Sequence, residues 1–226
     1  MTPILLLHGA LGSESQLEPL KKMLTEDGRK VYTMNFSGHS GKAFDTSGFG
    51  IEVFSKDVIS FINLHQLKRV DIFGHSMGGY VALWFAFQNP QRVNRIITLG
   101  TKFDWTIESA EKEVKKMNPH KIMEKVPAFA RILEHRHAPQ DWKELMTKTA
   151  TMMTSLGAKP LLTESELKQI NHPIIITLGD QDDMADRSYS EQVAQWLPQG
   201  NFQLMQATPH PIETVDLSIL FNLLNA

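Results

Sequence analysis

Short apolar runs alternate with longer stretches whose apolar residues return every three or four positions. The short runs predict strands at Pro3–Leu7, Val31–Phe36, Val70–Phe73, Arg95–Leu99, Pro173–Leu178 and Asn201–Gln206. Most of them are apolar without alternation, as strands buried on both faces are, so a mostly parallel sheet covered by helices is expected. Between them, Glu52–His65 gathers Phe54, Val58, Phe61, Ile62 and His65 on one helical stripe. The run after Ser76, MGGYVALWFAF, is apolar nearly all round and predicts an interior helix. Thr163–Glu166 and Ser188–Glu191 each fit the capping-box pattern and predict helix starts.

Strand-like runs stop between Leu99 and Pro173. Helical patterns fill the gap at Ile107–Met117, Lys121–His135 and Gln140–Leu156, separated by Asn118-Pro119, Ala138-Pro139 and Gly157 to Pro160. We therefore expect one domain over 1–226, with a core formed by 1–105 and 161–226 and a helical insertion at about 106–160.

Composition narrows the chemistry. A net charge of −2 gives no global field favouring nucleic acid or an anionic membrane. The absence of cysteine removes disulfides, thiolate nucleophiles and thiolate metal sites. MTPILLLHGA lacks a basic leader, and its apolar run is too short for a membrane span, so a soluble cytoplasmic protein is expected.

Against this background Gly74-His75-Ser76-Met77-Gly78 stands out, because a strand precedes it and a helix follows. G-x-S-x-G in that setting places serine on a tight strand-to-helix turn, with its hydroxyl presented beside a helix N-terminus. Serine needs a base to act as a nucleophile, and the base needs an orienting acid. Of nine histidines, His210 follows the last strand between two prolines, at the sheet edge where open α/β sheets bind ligands. His8 and His75 flank glycine turns and are expected to shape or line the site, whereas His39 reads as a polar turn residue. His65 and His172 stand at element ends, where capping or solvation suffices. His135 and His137 are two apart, off a common helical face, so no metal site is expected there. For the acid, Asp180, Asp182, Asp183, Asp186 and Asp104 all remain open. LLLHGALG offers a glycine turn in which the Ala10 amide, with that of Met77, can face an oxyanion.

Taken together, these motifs resemble the α/β-hydrolase superfamily over nearly the whole chain. His8-Gly9-Ala10 resembles its oxyanion turn, NFSGHSGK the loop after its next strand, Gly74–Gly79 its nucleophile elbow, and Gly179-Asp180-Gln181-Asp182 its acid loop. The resemblance implies an α/β-hydrolase fold of about six mostly parallel strands, without the leading antiparallel hairpin, and it makes the insertion a cap. It singles out Asp182 as the acid, in a catalytic triad of Ser76, Asp182 and His210 with an oxyanion hole at Ala10 and Met77. It implies a serine esterase acting on a small-molecule carboxylic ester, with neither metal nor organic cofactor.

Two departures carry information. Pro209 precedes the histidine where glycine is frequent, and Ser76 stands where dehalogenases and epoxide hydrolases carry an acid, which argues against both. Met117, Met123, Met146, Met152, Met153, Phe129 and Trp142 are expected to give the cap an adaptable apolar lining, and His8, Leu11, His75, Trp142 and Phe129 are expected to contact substrate. From Glu108 to Pro160 there are ten Lys/Arg against seven Asp/Glu, a surface on which an acidic acyl-carrier protein could dock. Thioesterases, carbon–carbon bond hydrolases and non-catalytic small-ligand receptors share the scaffold and stand as alternatives.

Overall fold

The computed structural model describes residues 2–225. Six strands, β1 (Ile4–Leu7), β2 (Val31–Met34), β3 (Val70–His75), β4 (Val93–Leu99), β5 (Ile174–Gln181) and β6 (Gly200–Pro209), form one sheet in the order β2-β1-β3-β4-β5-β6. Every pairing is parallel, so each connection has to cross a face of the sheet. The all-apolar strands follow from this, since both faces are covered. Leu5 and Leu7 of β1 join one core cluster, while Ile4 and Leu6 join the other.

The first face carries α2 (Ile51–Leu64), α3 (Met77–Gln88) and α9 (Arg187–Trp196). Phe54, Val58 and Ile62 of α2 are fully buried there, each contributing about 1.5–3 kcal/mol relative to exposure. Helix α3 has no polar face, as its sequence requires, and lies in the interior behind β3. The second face carries α1 (Glu18–Glu26) and α10 (Leu217–Asn225), through Leu20, Leu24, Leu220 and Leu224. Short α8 (Glu164–Leu167) starts at the Thr163–Glu166 capping box. Ser188 starts nothing: the α9 N-cap is Asp186, whose carboxylate accepts the Tyr189 amide at 2.7 Å, and Ser188 lies inside the first turn.

Between β4 and β5 the insertion forms α4 (Ile107–Val114), α5 (Pro119–Lys125), α6 (Pro127–His137) and α7 (Trp142–Ala158), four helices in place of three. Pro127 has no amide hydrogen to continue α5, and Val126 before it takes φ −138° and ψ 60°, so the central helix breaks there and restarts with proline at its first position. At its end α7 runs through Gly157, because that glycine permits contact with α4: a Cβ there would stand 2.5 Å from the Ala110 Cβ. Among the described residues no helix is long and apolar enough to cross a membrane.

Candidate active site

The carboxyl ends of β1, β3, β5 and β6 converge on one point. At the end of β3 the chain reverses into α3 through Ser76, whose φ of 52° and ψ of −120° are rare for a residue with a Cβ. Glycine makes the reversal possible, since a Cβ on Gly74 would lie 2.5 Å from the Gly78 backbone and one on Gly78 2.5 Å from the Leu7 carbonyl oxygen. The strain is held from outside the turn: the Ser76 amide donates to Leu99 O at 2.8 Å and the Thr101 hydroxyl to Ser76 O at 2.9 Å.

Strands β5 and β6 extend beyond their sequence-predicted ends and deliver the other two groups. Their pairing jumps from Gly179↔Met205 to Gln181↔Pro209 around Ala207, which has φ 50°. This bulge ends the edge strand at Pro209 and sets His210 against the loop after β5. The His210 Nδ1 lies 2.7 Å from Asp182 Oδ2 and its Nε2 3.1 Å from Ser76 Oγ. The other Asp182 oxygen accepts the amides of Met184 at 2.9 Å and Ala185 at 3.2 Å. Burial raises the Asp182 carboxyl's pKa, but the His210 hydrogen bond and charge and those two amides outweigh it and hold the group below its ordinary range.

Of the other candidate carboxylates, Asp183 is exposed and the remaining three are engaged elsewhere. Asp104 is paired with Lys102 at 2.7 Å, Asp180 accepts the Thr208 amide, and Asp186 caps α9. Among the described residues, no group of three or more His, Asp or Glu is placed to hold a metal.

A cavity of about 490 Å³ opens over Ser76 and His210. Ala10 and Met77 line it, and Met77 opens α3, so its amide has no carbonyl four residues back. Leu11, His75 and Phe129 line it, with Met117, Met146, Met152 and Met153. Trp142, His8 and Met123 do not. Trp142 is spent on packing α7 against Leu11 and Leu133, while His8 lies beneath the turn, donating from Nδ1 to Gly9 O at 2.8 Å and accepting the Phe36 amide on Nε2 at 3.2 Å.

A family model described as alpha/beta hydrolase fold matches residues 2–130, more than half of the chain. The chain belongs to the alpha/beta hydrolase fold family. It is similar to the sn-1-specific diacylglycerol lipase ABHD11 of Xenopus laevis, 33% identical over 98 residues, which is 43% of this chain and 31% of that protein. It is also similar to the "Putative carbamate hydrolase RutD" of Agrobacterium fabrum, 25% identical over 239 residues, or 97% of this chain and 89% of that one. The chain spans less than a third of the length of the frog protein and of the first curated relatives it matches. In fold it matches a thermophilic esterase from Thermogutta terrifontis with a TM-score of 0.77 at 18% identity, covering 100% of this chain and 88% of that one.

Around the site this alpha/beta hydrolase buries histidines for which sequence spacing gave no signal. His39, expected in a polar turn, is fully buried and stacks on Phe49. At the far, amino end of β5, His172, expected at an element end where capping or solvation suffices, is buried as well. His75 donates from Nε2 to His210 O at 2.9 Å, which fixes the backbone that carries the histidine next to Ser76. Burial lowers His8 to about 3, and burial followed by the charge of His210 lowers His75 to about 4.

Both histidines are neutral when folded and free to protonate near 6.5 when unfolded. Their stabilisation is therefore complete above pH 6.5 and is lost as pH falls toward 4. Each is expected to cost on the order of 2 kcal/mol between pH 6.5 and 5. Urea midpoints measured across that interval should fall steadily, and a flat profile would contradict neutral burial.

Gly100 also escaped notice in the sequence. Its φ is 61°, and a Cβ there would stand 2.7 Å from Asp182 Oδ2 and 3.2 Å from His210 Nδ1, so glycine leaves the room that this pair occupies.

Proposed function

We propose that this alpha/beta hydrolase is a serine carboxylesterase that cleaves esters of small to medium apolar acyl or aromatic groups through an acyl-enzyme. One observation carries the reading: the unbroken hydrogen-bonded chain from Asp182 through His210 to Ser76 ends in a cavity whose wall is mostly apolar and rich in methionine and isoleucine. In this reading Ser76 Oγ attacks the ester carbonyl while His210 Nε2 takes its proton. Asp182 holds the Nδ1–H tautomer and stabilises the imidazolium. The Ala10 and Met77 amides receive the oxyanion, each worth about 2.7–4 kcal/mol in the transition state. His210 returns the proton to the leaving alcohol, and a water activated by the same nitrogen then releases the acid. Helices α4 to α7 form the cap, whose methionines fit acyl groups of varied shape.

The test is intact mass after exposure to a fluorophosphonate, alongside turnover of p-nitrophenyl esters of increasing chain length. A single adduct is expected, absent from Ser76→Ala. Each methylene that enters the cavity should raise kcat/KM about fourfold, because its burial is worth about 0.8 kcal/mol, until the cavity is full. A folded protein with neither adduct nor ester turnover would overturn the reading.

A further inference from the structure

The turn that carries Ala10 is held from two sides. Below it lies His8; above it lies the end of α6. Leu11, the residue after Ala10, is left-handed at φ 55°, a conformation that a leucine keeps only when its surroundings impose it. Its carbonyl accepts two hydrogen bonds from the insertion, from Arg136 Nη1 at 3.1 Å and His137 Nε2 at 3.0 Å. Its side chain is buried with Ala130, Leu133, Trp142, Leu145 and Met146, all residues of the insertion.

Each donor has a second tie. His137 Nδ1 accepts the Ser40 amide at 3.1 Å, so the ring has its hydrogen on Nε2, directed at Leu11. The second Arg136 nitrogen, Nη2, meets Glu213 Oε1 at 3.1 Å, three residues beyond His210, and the Gln16 side-chain amide donates to the same oxygen. The last turn of α6 therefore ties together the Gly9–Gly12 turn, the loop at Ser40 and the histidine loop.

We propose that Arg136 and His137 are positioning residues that lock the Gly9–Gly12 turn in the shape presenting the Ala10 amide to the oxyanion. The insertion then assembles the site as well as covering it. With α6 displaced, His210 keeps its bonds to Asp182, Ser76 and the His75 ring, while the Gly9–Gly12 turn loses its outer brace and one oxyanion donor is loosened. The inference rests on the proposed serine-hydrolase chemistry.

The test is steady-state kinetics of Arg136→Ala, His137→Ala and His137→Gln on p-nitrophenyl acetate and hexanoate, with inhibition by a trifluoromethyl ketone, whose serine adduct carries an oxyanion. Removing one oxyanion donor outright costs about 10²–10³ in kcat, so a loosened one is expected to cost about 10- to 100-fold. KM should change little, and the loss should be the same for both esters. The inhibition constant should rise in proportion, and His137→Gln, which restores an N–H donor, should recover most of the activity. Losses confined to KM, differing between the two esters and sparing the ketone, would overturn the proposal in favour of a pocket-lining role. If His137→Ala does not fold, Arg136→Ala decides by the same criteria. Wild-type rates in both variants, with Ser76→Ala inactive, would overturn this proposal alone, whereas full activity in Ser76→Ala would overturn the underlying chemistry.

Discussion

Replacing Ser76 with alanine is expected to lower ester turnover about 10⁶-fold while leaving the fold unchanged. The hydroxyl makes one side-chain contact, to His210 Nε2, and the turn itself is held through the Ser76 backbone, whose amide donates to Leu99 O and whose carbonyl accepts the Thr101 hydroxyl, neither of which the substitution touches. Alanine has the same Cβ as serine and meets the same strain at φ 52°, so the melting temperature should move by no more than a surface substitution moves it. Burst-free hydrolysis of an activated ester at more than about one part in 10⁴ of the wild-type rate would mean that the nucleophile is another group. Loss of the cooperative melt would mean that the hydroxyl supports the turn.

The serine was legible because everything that makes it special is local: an apolar strand, two glycines and an apolar helix, all between Val70 and Phe87. His210 was legible for a weaker reason, its position after the last strand. The acid was not settled by residue chemistry, since Asp104 and the four aspartates between Asp180 and Asp186 all remained open, and resemblance alone singled out Asp182. What separates them physically is the bulge at Ala207, which depends on how β5 and β6 pair and has no signature within either strand.

The insertion shows the same division. Its helical character follows from periodicity, yet Gly157 reads as a stop and is a point of helix contact, because its partner Ala110 lies far away in sequence. The break at Val126-Pro127 was written in the sequence, since proline cannot continue the hydrogen-bond ladder, and the long helix predicted across it ignored a local rule. His8, His39 and His137 come from three separate segments, with ring centroids of His39 lying 4.9 Å from His8 and 5.8 Å from His137. No spacing rule joins them, so their burial and the bracing they provide appear only once the insertion is seated on the core.

The carboxylate at Asp182 yields the second large effect, and the direction of each of its oxygens decides it. One oxygen faces His210 Nδ1, and the other is fixed by the amides of Met184 and Ala185. Asparagine at this position has to direct its carbonyl oxygen toward those two amides, because its NH₂ cannot accept from them. The NH₂ is then aimed at His210 Nδ1 and demands a lone pair there. The imidazole is driven to the Nε2–H tautomer, which donates to Ser76 Oγ and cannot take its proton. Asp182→Asn should therefore lower kcat about 10⁴-fold in a protein that still folds. Asp182→Ala leaves the tautomer free and should be no worse. Asp104→Asn, which removes the charge partner of Lys102 and touches no bond of His210, should leave turnover within about threefold of wild type, since an ion pair still partly open to solvent is worth about 1 kcal/mol or less. The ordering of these three rates identifies the acid: if Asp104→Asn were the inactive variant and Asp182→Asn the active one, His210 would take its orientation from another carboxylate during turnover.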